Sequence, residues 1–177
     1  MTRKIAIVGA NSLLRPMAPF SDPAWEIWTF SPHNLGFIPR FDRWFELHCP
    51  FEASVKPFPR YREFLETVPH LTVRDGTCKI PGVFAYPDAG MFNRFGPYFF
   101  TSSLAYLMAL AITKKPDMIG LWSSTYEPHN PYNFQVPGLR YFATRAAEAG
   151  IELYCPKESH ALDVPEPYGG HAISEAA

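Results

Sequence analysis

Cysteine is scarce, net charge is almost absent and no long apolar run occurs, and each of these removes a class of protein. The three cysteines, Cys49, Cys78 and Cys155, are widely spaced and form no CxxC pair. They read as free thiols in a reducing compartment, not as a disulfide framework. A formal net charge of −1 gives no electrostatic reason for nonspecific nucleic-acid binding or a membrane-surface partner. The opening MTRKIAIVGAN holds too short an apolar run for a signal peptide, and no later stretch is long enough to span a bilayer. A cytoplasmic protein is therefore expected. HxH and HExxH spacings are missing, so the histidines carry no metal pattern and no metal is expected.

What the chain does have is apolar mass and stiff connections. It has 177 residues, 47% of them hydrophobic and 16% aromatic, enough for one domain that buries its own core. The 19 prolines cluster in NSLLRPMAPFSDP, HCPFEASVKPFPR, YEPHNPYNFQVPG and DVPEPYGG. That pattern suggests a compact sheet joined by rigid irregular loops, where function usually sits. No internal repeat or low-complexity segment occurs.

The organising stretch is YFFTSSLAYLMALAITKKPDMIGLW, residues 98–122. Thr101, Ser102 and Ser103 open an apolar run from Leu104 to Ile112, and Lys114, Lys115 and Pro116 close it. Hydroxyls at the entry can accept from the orphan N–H groups, lysines complement the negative end of the dipole, and proline cannot continue the helix. Met118–Trp122 follows as a short apolar strand. A helix-to-strand unit this apolar belongs in the middle of an α/β sandwich.

Around it, Lys4–Val8 is predicted as the first strand and Trp25–Phe30 as the second. Phe41–His48 is expected as a third, Tyr61–Val68 as a short helix and Leu71–Tyr86 as a strand or hairpin around Asp75 and Gly76. Leu139–Ala149 reads as a helix stopped by Gly150, and Ile151–Cys155 as a last strand capped by the polar loop Pro156–Asp163. The expectation is a single Rossmann-like α/β domain with a mostly parallel sheet over residues 1–163, and an irregular tail over 164–177.

Chemistry is sought at the strand ends. Gly9, Ala10, Asn11 and Ser12 follow the first strand, where open α/β sheets bind ligands, although GANS has one glycine where GxGxxG has three. The loop is thus either a ligand contact or a tight turn. No acid ends the second strand, which counts against NAD dependence. Ser102 and Ser103 either hold a phosphate at a helix start or only cap the helix. Ser124 opens the polar loop SSTYEPHNPYNFQVPG. Within it, Glu127 can orient His129 as an acid/base pair, or both are solvated. His33 and His160 lie in other strand-end loops and could converge with them. Arg15, Arg94 and Arg140 could neutralise phosphate. His48 beside Cys49 suggests little, since adjacent strand residues point to opposite faces.

The order GANS, YFFTSSLAYLMALAI, IGLWSSTY and GIELYCPKESHALD resembles a Rossmann-like group. It includes bacterial sialyltransferases and proteins similar to hydroxymethylpterin pyrophosphokinase. The WEIW, RWFELH and Gln-x-Pro features, the last placing Gln135, are similar to those of small uncharacterised phage-encoded proteins. The resemblance implies that Asn11 and Ser12 contact a nucleotide, that Ser102 and Ser103 form an anion-binding helix start, and that Tyr126 and Tyr132 flank the base or sugar. Ser124 stands where the sialyltransferase-type strand supplies an acid, and no segment corresponds to the acceptor-binding lid.

Taken together, a nucleotide or nucleotide sugar is the expected ligand, with no further cofactor. Gly9, Asn11, Ser12, Ser102, Ser103, Ser124, Tyr126, Tyr132 and Gln135 would bind it, and Glu127 and His129 would act on it. The alternatives are a module that sequesters the nucleotide and a structural subunit. A homo-oligomer stays open.

Overall fold

The computed structural model describes residues 2–124 and 133–163. The tail from residue 164 and most of the polar loop after Ser124 therefore lie outside the described residues. Seven strands form one parallel sheet: β1 (Lys4–Val8), β2 (Trp25–Phe30), β3 (Arg43–Glu46), β4 (Leu71–Val73), β5 (Phe84–Ala85), β6 (Met118–Trp122) and β7 (Glu152–Tyr154). Their order is β5-β4-β3-β2-β1-β6-β7. Among the described residues five α-helices flank it: α1 (Phe51–Val55), α2 (Pro59–Leu65), α3 (Asp88–Phe95), α4 (Ser103–Thr113) and α5 (Val136–Glu148). The fold is the Rossmann-like α/β class that the sequence suggests.

Period-two alternation divides the core between the two faces of the sheet. Ile5 and Ile7 of β1, Trp28 of β2 and Ile119 and Leu121 of β6 pack with α3, α4 and α5. Ala6, Val8, Trp25, Ile27 and Trp122 form a cluster on the other side. Trp44 of β3 joins Phe51 and Val55 of α1 and Tyr61 and Leu65 of α2. Strand β1 is buried on both faces from Ile5 to Val8 because both are covered, which is why IAIV is continuously apolar.

Helix α4 is buried over nearly its whole length, from Leu104 to Ala109 and at Ala111 and Ile112. Ser102, in extended backbone, caps it by accepting the Ala105 N–H at 3.1 Å, a contact worth about 1 kcal/mol. Helices α4 and α5 meet closely at Gly138. There a Cβ would collide with the Phe99 carbonyl and Thr101 Oγ1, so a side-chain-free residue lets α5 approach the entrance of α4.

Several boundaries differ from expectation. The third strand is Arg43–Glu46 and not Phe41–His48. It ends where β2 stops at Phe30 and β4 at Val73, which leaves no further ladder partners. Leu71–Tyr86 is not a hairpin, because β4 and β5 run parallel. Helix α2 starts earlier, on Pro59, and α5 starts at Val136 with Pro137 in its first turn. Proline's fixed φ suits the first helical turn, where its missing N–H is not needed. Helices α1 and α3 were not anticipated, since α1 is short and lies within a proline-rich stretch and α3 contains Gly90.

Two glycines on helices should respond in opposite ways to substitution by alanine. Gly138→Ala is expected to cost about 1–3 kcal/mol by overpacking. Gly90→Ala, exposed with open space around its added methyl, should add about 0.5–1 kcal/mol. Urea unfolding midpoints check both, and equal shifts would contradict the packing at Gly138.

Candidate functional site

The chain runs outward from β1 through β2, β3, β4 and β5, then returns to place β6 on the other side of β1. Loops leaving the carboxyl ends of β1 and β6 therefore diverge, and the crevice between them is where open α/β sheets take ligands. A cleft of about 450 Å³ opens there. Its lining comprises Ala10, Asn11, Phe30, Ser31, His33, His48, Ser102, Ser103, Leu104, Ser123, Ser124 and Gln135. The ends of four strands and the starts of α4 and α5 thus meet around one space.

Of the residues singled out from sequence, Asn11, Ser102, Ser103, Ser124 and Gln135 line this cleft together. Asn11 Oδ1 accepts the N–H groups of Leu13 and Leu14 at 2.9 and 3.0 Å. That fixes the turn after β1 and leaves the amide nitrogen as the group it can offer. Gly9 is buried, donates its N–H to the Trp122 carbonyl at 2.9 Å, and would place a Cβ 2.5 Å from Ser123 Oγ. Its role is to let the two diverging loops touch. Ser12 is exposed and does not line the cleft. Tyr126, Glu127, His129 and Tyr132 lie outside the described residues.

The loop after β2 is held by a buried polar network. Asn34 Nδ2 donates to Phe30 O at 2.8 Å and to Thr29 Oγ1 at 2.9 Å, while Thr29 Oγ1 donates to Val8 O at 2.9 Å. Arg15 donates to Asn34 Oδ1 and to the His33 carbonyl, each at 3.1 Å. Arg15 is therefore structural and not a phosphate ligand. Arg94 lies over the Phe95 ring, and neither it nor Arg140 reaches the cleft. Ser31, on the cleft wall, has a φ of 86°, a conformation that costs a non-glycine residue free energy and is often found at functional sites. Among the described lining residues there is no lysine or arginine. A bound anion would be met there by the N–H groups at the start of α4.

The residue that sequence reasoning passed over is His48. Its Nδ1–H donates to Glu46 Oε1 at 2.6 Å, and its backbone N–H donates to the same oxygen at 3.1 Å. A carboxylate only accepts, so the imidazole proton sits on Nδ1 and Nε2 is left to the cleft. The Glu46 side chain is 2% exposed and that of His48 60%. On the far side, Tyr61 O–H donates to Glu46 Oε2 at 2.9 Å and in turn accepts the Trp44 Nε1–H at 2.9 Å. A chain of hydrogen bonds thus runs from the apolar core to the cleft. The hydrogen bond to Glu46 raises the His48 pKa above its ordinary value, against the opposing effect of burial. Burial, with the Glu46 charge beside it, pushes the Tyr61 hydroxyl well above the ordinary tyrosine value, so Tyr61 stays a donor. The available signal is an acid two residues before a histidine, although β3 ends at Glu46 and strand alternation does not set the pairing.

Among the described residues no group of three metal-ligating side chains occurs. His160 pairs with Asp163 at 2.7 Å and does not line the cleft.

Because the folded state raises the His48 pKa, its pairing stabilises the fold below the ordinary histidine value near 6.5. That contribution is lost as pH climbs through the raised value. In Glu46→Gln the imidazole titration followed by NMR should move down toward the ordinary value. Tyr61→Phe leaves Glu46 Oε2 and Trp44 Nε1 unpaired in a buried site and should cost about 1–3 kcal/mol in urea unfolding. An unmoved imidazole titration would dissolve the pair.

No protein-family profile and no curated protein sequence matches the chain. Among solved structures it is similar to the sialyltransferase CstII from Campylobacter jejuni, determined in complex with the substrate analogue cytidine-5'-monophosphate. The two share 14% sequence identity with a TM-score of 0.58, over 88% of this chain and 79% of that one. The likeness is one of fold: this chain has a distantly sialyltransferase-like architecture.

Proposed function

We propose that the cleft at the carboxyl ends of β1 and β6 binds a nucleotide or nucleotide sugar, and that the protein transfers or hydrolyses the group the nucleotide carries. The observation that supports this most directly is the convergence of Asn11, Ser102, Ser103, Ser124 and Gln135 on one cleft at the sheet's switch point. A phosphate at the start of α4 would meet backbone N–H groups and the positive end of the helix dipole. Asn11 would donate its amide to the nucleotide. Tyr126 and Tyr132 would flank the base or sugar, and Glu127 and His129 are the acid/base pair suggested by the sequence. The structural neighbour, with cytidine-5'-monophosphate bound, supports the same ligand class for this fold.

A second reading is a protein that captures the nucleotide-derived molecule and leaves it intact. It is favoured by Ser124 at the end of β6, where the resemblance calls for an acid. No helix among the described residues is long and apolar enough to cross a membrane.

Thermal denaturation and titration calorimetry against CMP, UMP, GMP, AMP and their sugar conjugates test the binding. A ligand at a hundred times its Kd should stabilise the fold by about 2.7 kcal/mol. Ser103→Ala should weaken that ligand roughly 3- to 10-fold through one lost hydrogen bond. Absence of binding by every nucleotide would remove both readings, and binding without turnover would select the second.

A further inference from the structure

Transfer of a group from a nucleotide needs a base for the incoming hydroxyl or water. The described cleft presents imidazoles at two places, His33 and His48. His33 is held by its backbone, with its carbonyl accepting from Arg15 and its N–H donating to Ser31 Oγ, and its ring edge rests against Phe58. His48 alone of the two has a carboxylate on its ring among the described residues.

We propose that His48, oriented by Glu46, is the catalytic base of this cleft, in place of the His129 that the sequence suggests. The proposal rests on the nucleotide-transfer reading above and names the group that moves the proton. Nε2 of neutral His48 takes the proton of the acceptor hydroxyl or water as that oxygen bonds to the carbon attached to the nucleotide phosphate. The bond from that carbon to the phosphate oxygen breaks, and its electron pair leaves on the nucleotide. His48 ends as an imidazolium, with its new charge beside the Glu46 carboxylate.

Three observations support the assignment. The tautomer is fixed, because Nδ1–H is committed to Glu46 at 2.6 Å and only Nε2 can accept. The carboxylate cannot turn away, because its other oxygen is held by Tyr61, which Trp44 holds in turn. The reach also fits, since β3 stands two strands from β1 in the sheet, which strand spacing converts to about 10 Å. A ligand touching both the Asn11 loop and His48 must therefore be larger than a phosphate, as a nucleotide sugar is. Glu46 acts only through His48 and is a positioning residue.

Three other charges stand at this corner, those of Arg74, Asp75 and Asp88. Cys49 lies in the field of Arg74, Asp75, Asp88 and Glu46, and Arg74 pairs with Asp88 at 3.0 Å. Tyr61 stays neutral, with its hydroxyl pushed well above the ordinary value. That leaves Glu46 as the partner that raises the His48 pKa.

The test is turnover of CMP-, UDP- and GDP-linked sugars by the wild type, His48→Gln, Glu46→Gln and His129→Gln, alongside nucleotide Kd for each. His48 is mostly exposed, so its replacement should leave folding intact, and circular dichroism checks Glu46→Gln. His48→Gln should lose about 10²- to 10⁴-fold in kcat with nucleotide Kd unchanged. In the wild type, kcat/KM should rise with pH to a plateau through an inflection above the ordinary histidine value. Glu46→Gln should lower both the plateau and the inflection, which a merely structural role would not do. Unchanged kcat in His48→Gln overturns the proposal, as does nucleotide binding by the wild type without turnover of any donor. Failure of the wild type to bind any nucleotide removes the ligand reading itself, and the base assignment with it.

Discussion

Everything in this fold depends on β1 being buried on both faces with a parallel neighbour on each edge. Lys4 to Val8 pair with Trp25 to Thr29 on one side and with Met118 to Trp122 on the other. Both sets of backbone groups are thereby satisfied inside the protein, where leaving them unpaired would be costly. The chain can occupy both edges only by travelling outward on one side and crossing back to the other. That crossing makes the loops after β1 and β6 part, and the cleft is the space they leave. Helix α4 is the crossing element, which explains why it is apolar on every side and why its N-terminus lies at the cleft.

Much of this was legible because burial on both faces writes an unambiguous pattern. IAIV, MIGLW and LAYLMALAI are apolar without interruption, and hydroxyls and lysines mark the ends of the helix. The outer strands were harder to read. Glu152 and Tyr154 of β7 and both residues of β5 are exposed, so hydrophobicity does not delimit them. The length of β3 was set by where its neighbours stop, which no property of FDRWFELH records.

The site was legible in part for a related reason. Asn11, Ser102, Ser103 and Ser124 stand at the ends of elements that the sequence places well, so placing the elements places the residues, while Gln135 is marked by its Gln-x-Pro context. In the sequence His48 reads against Cys49, its neighbour in the chain, whereas in the structure its partner is Glu46. An acid two residues before a histidine becomes informative only once a tyrosine from another element is known to cover the acid. Conversely, Arg15, which the sequence suits to phosphate, ties the loop after β2 to Asn34.

The hydrogen-bonded line through Trp44, Tyr61, Glu46 and His48 has an evolutionary consequence. Each inner member exists to satisfy the next, so a lineage could not exchange one of them for an apolar residue without stranding a polar atom in the core. Loss of the acid would favour loss of the tyrosine hydroxyl and then of the indole donor. The four positions are therefore expected to change as a block, with the polar set kept whole or replaced together. The side chains lining the cleft beside Ser124 and Gln135, free of that coupling, can drift singly and retune which ligand is accepted.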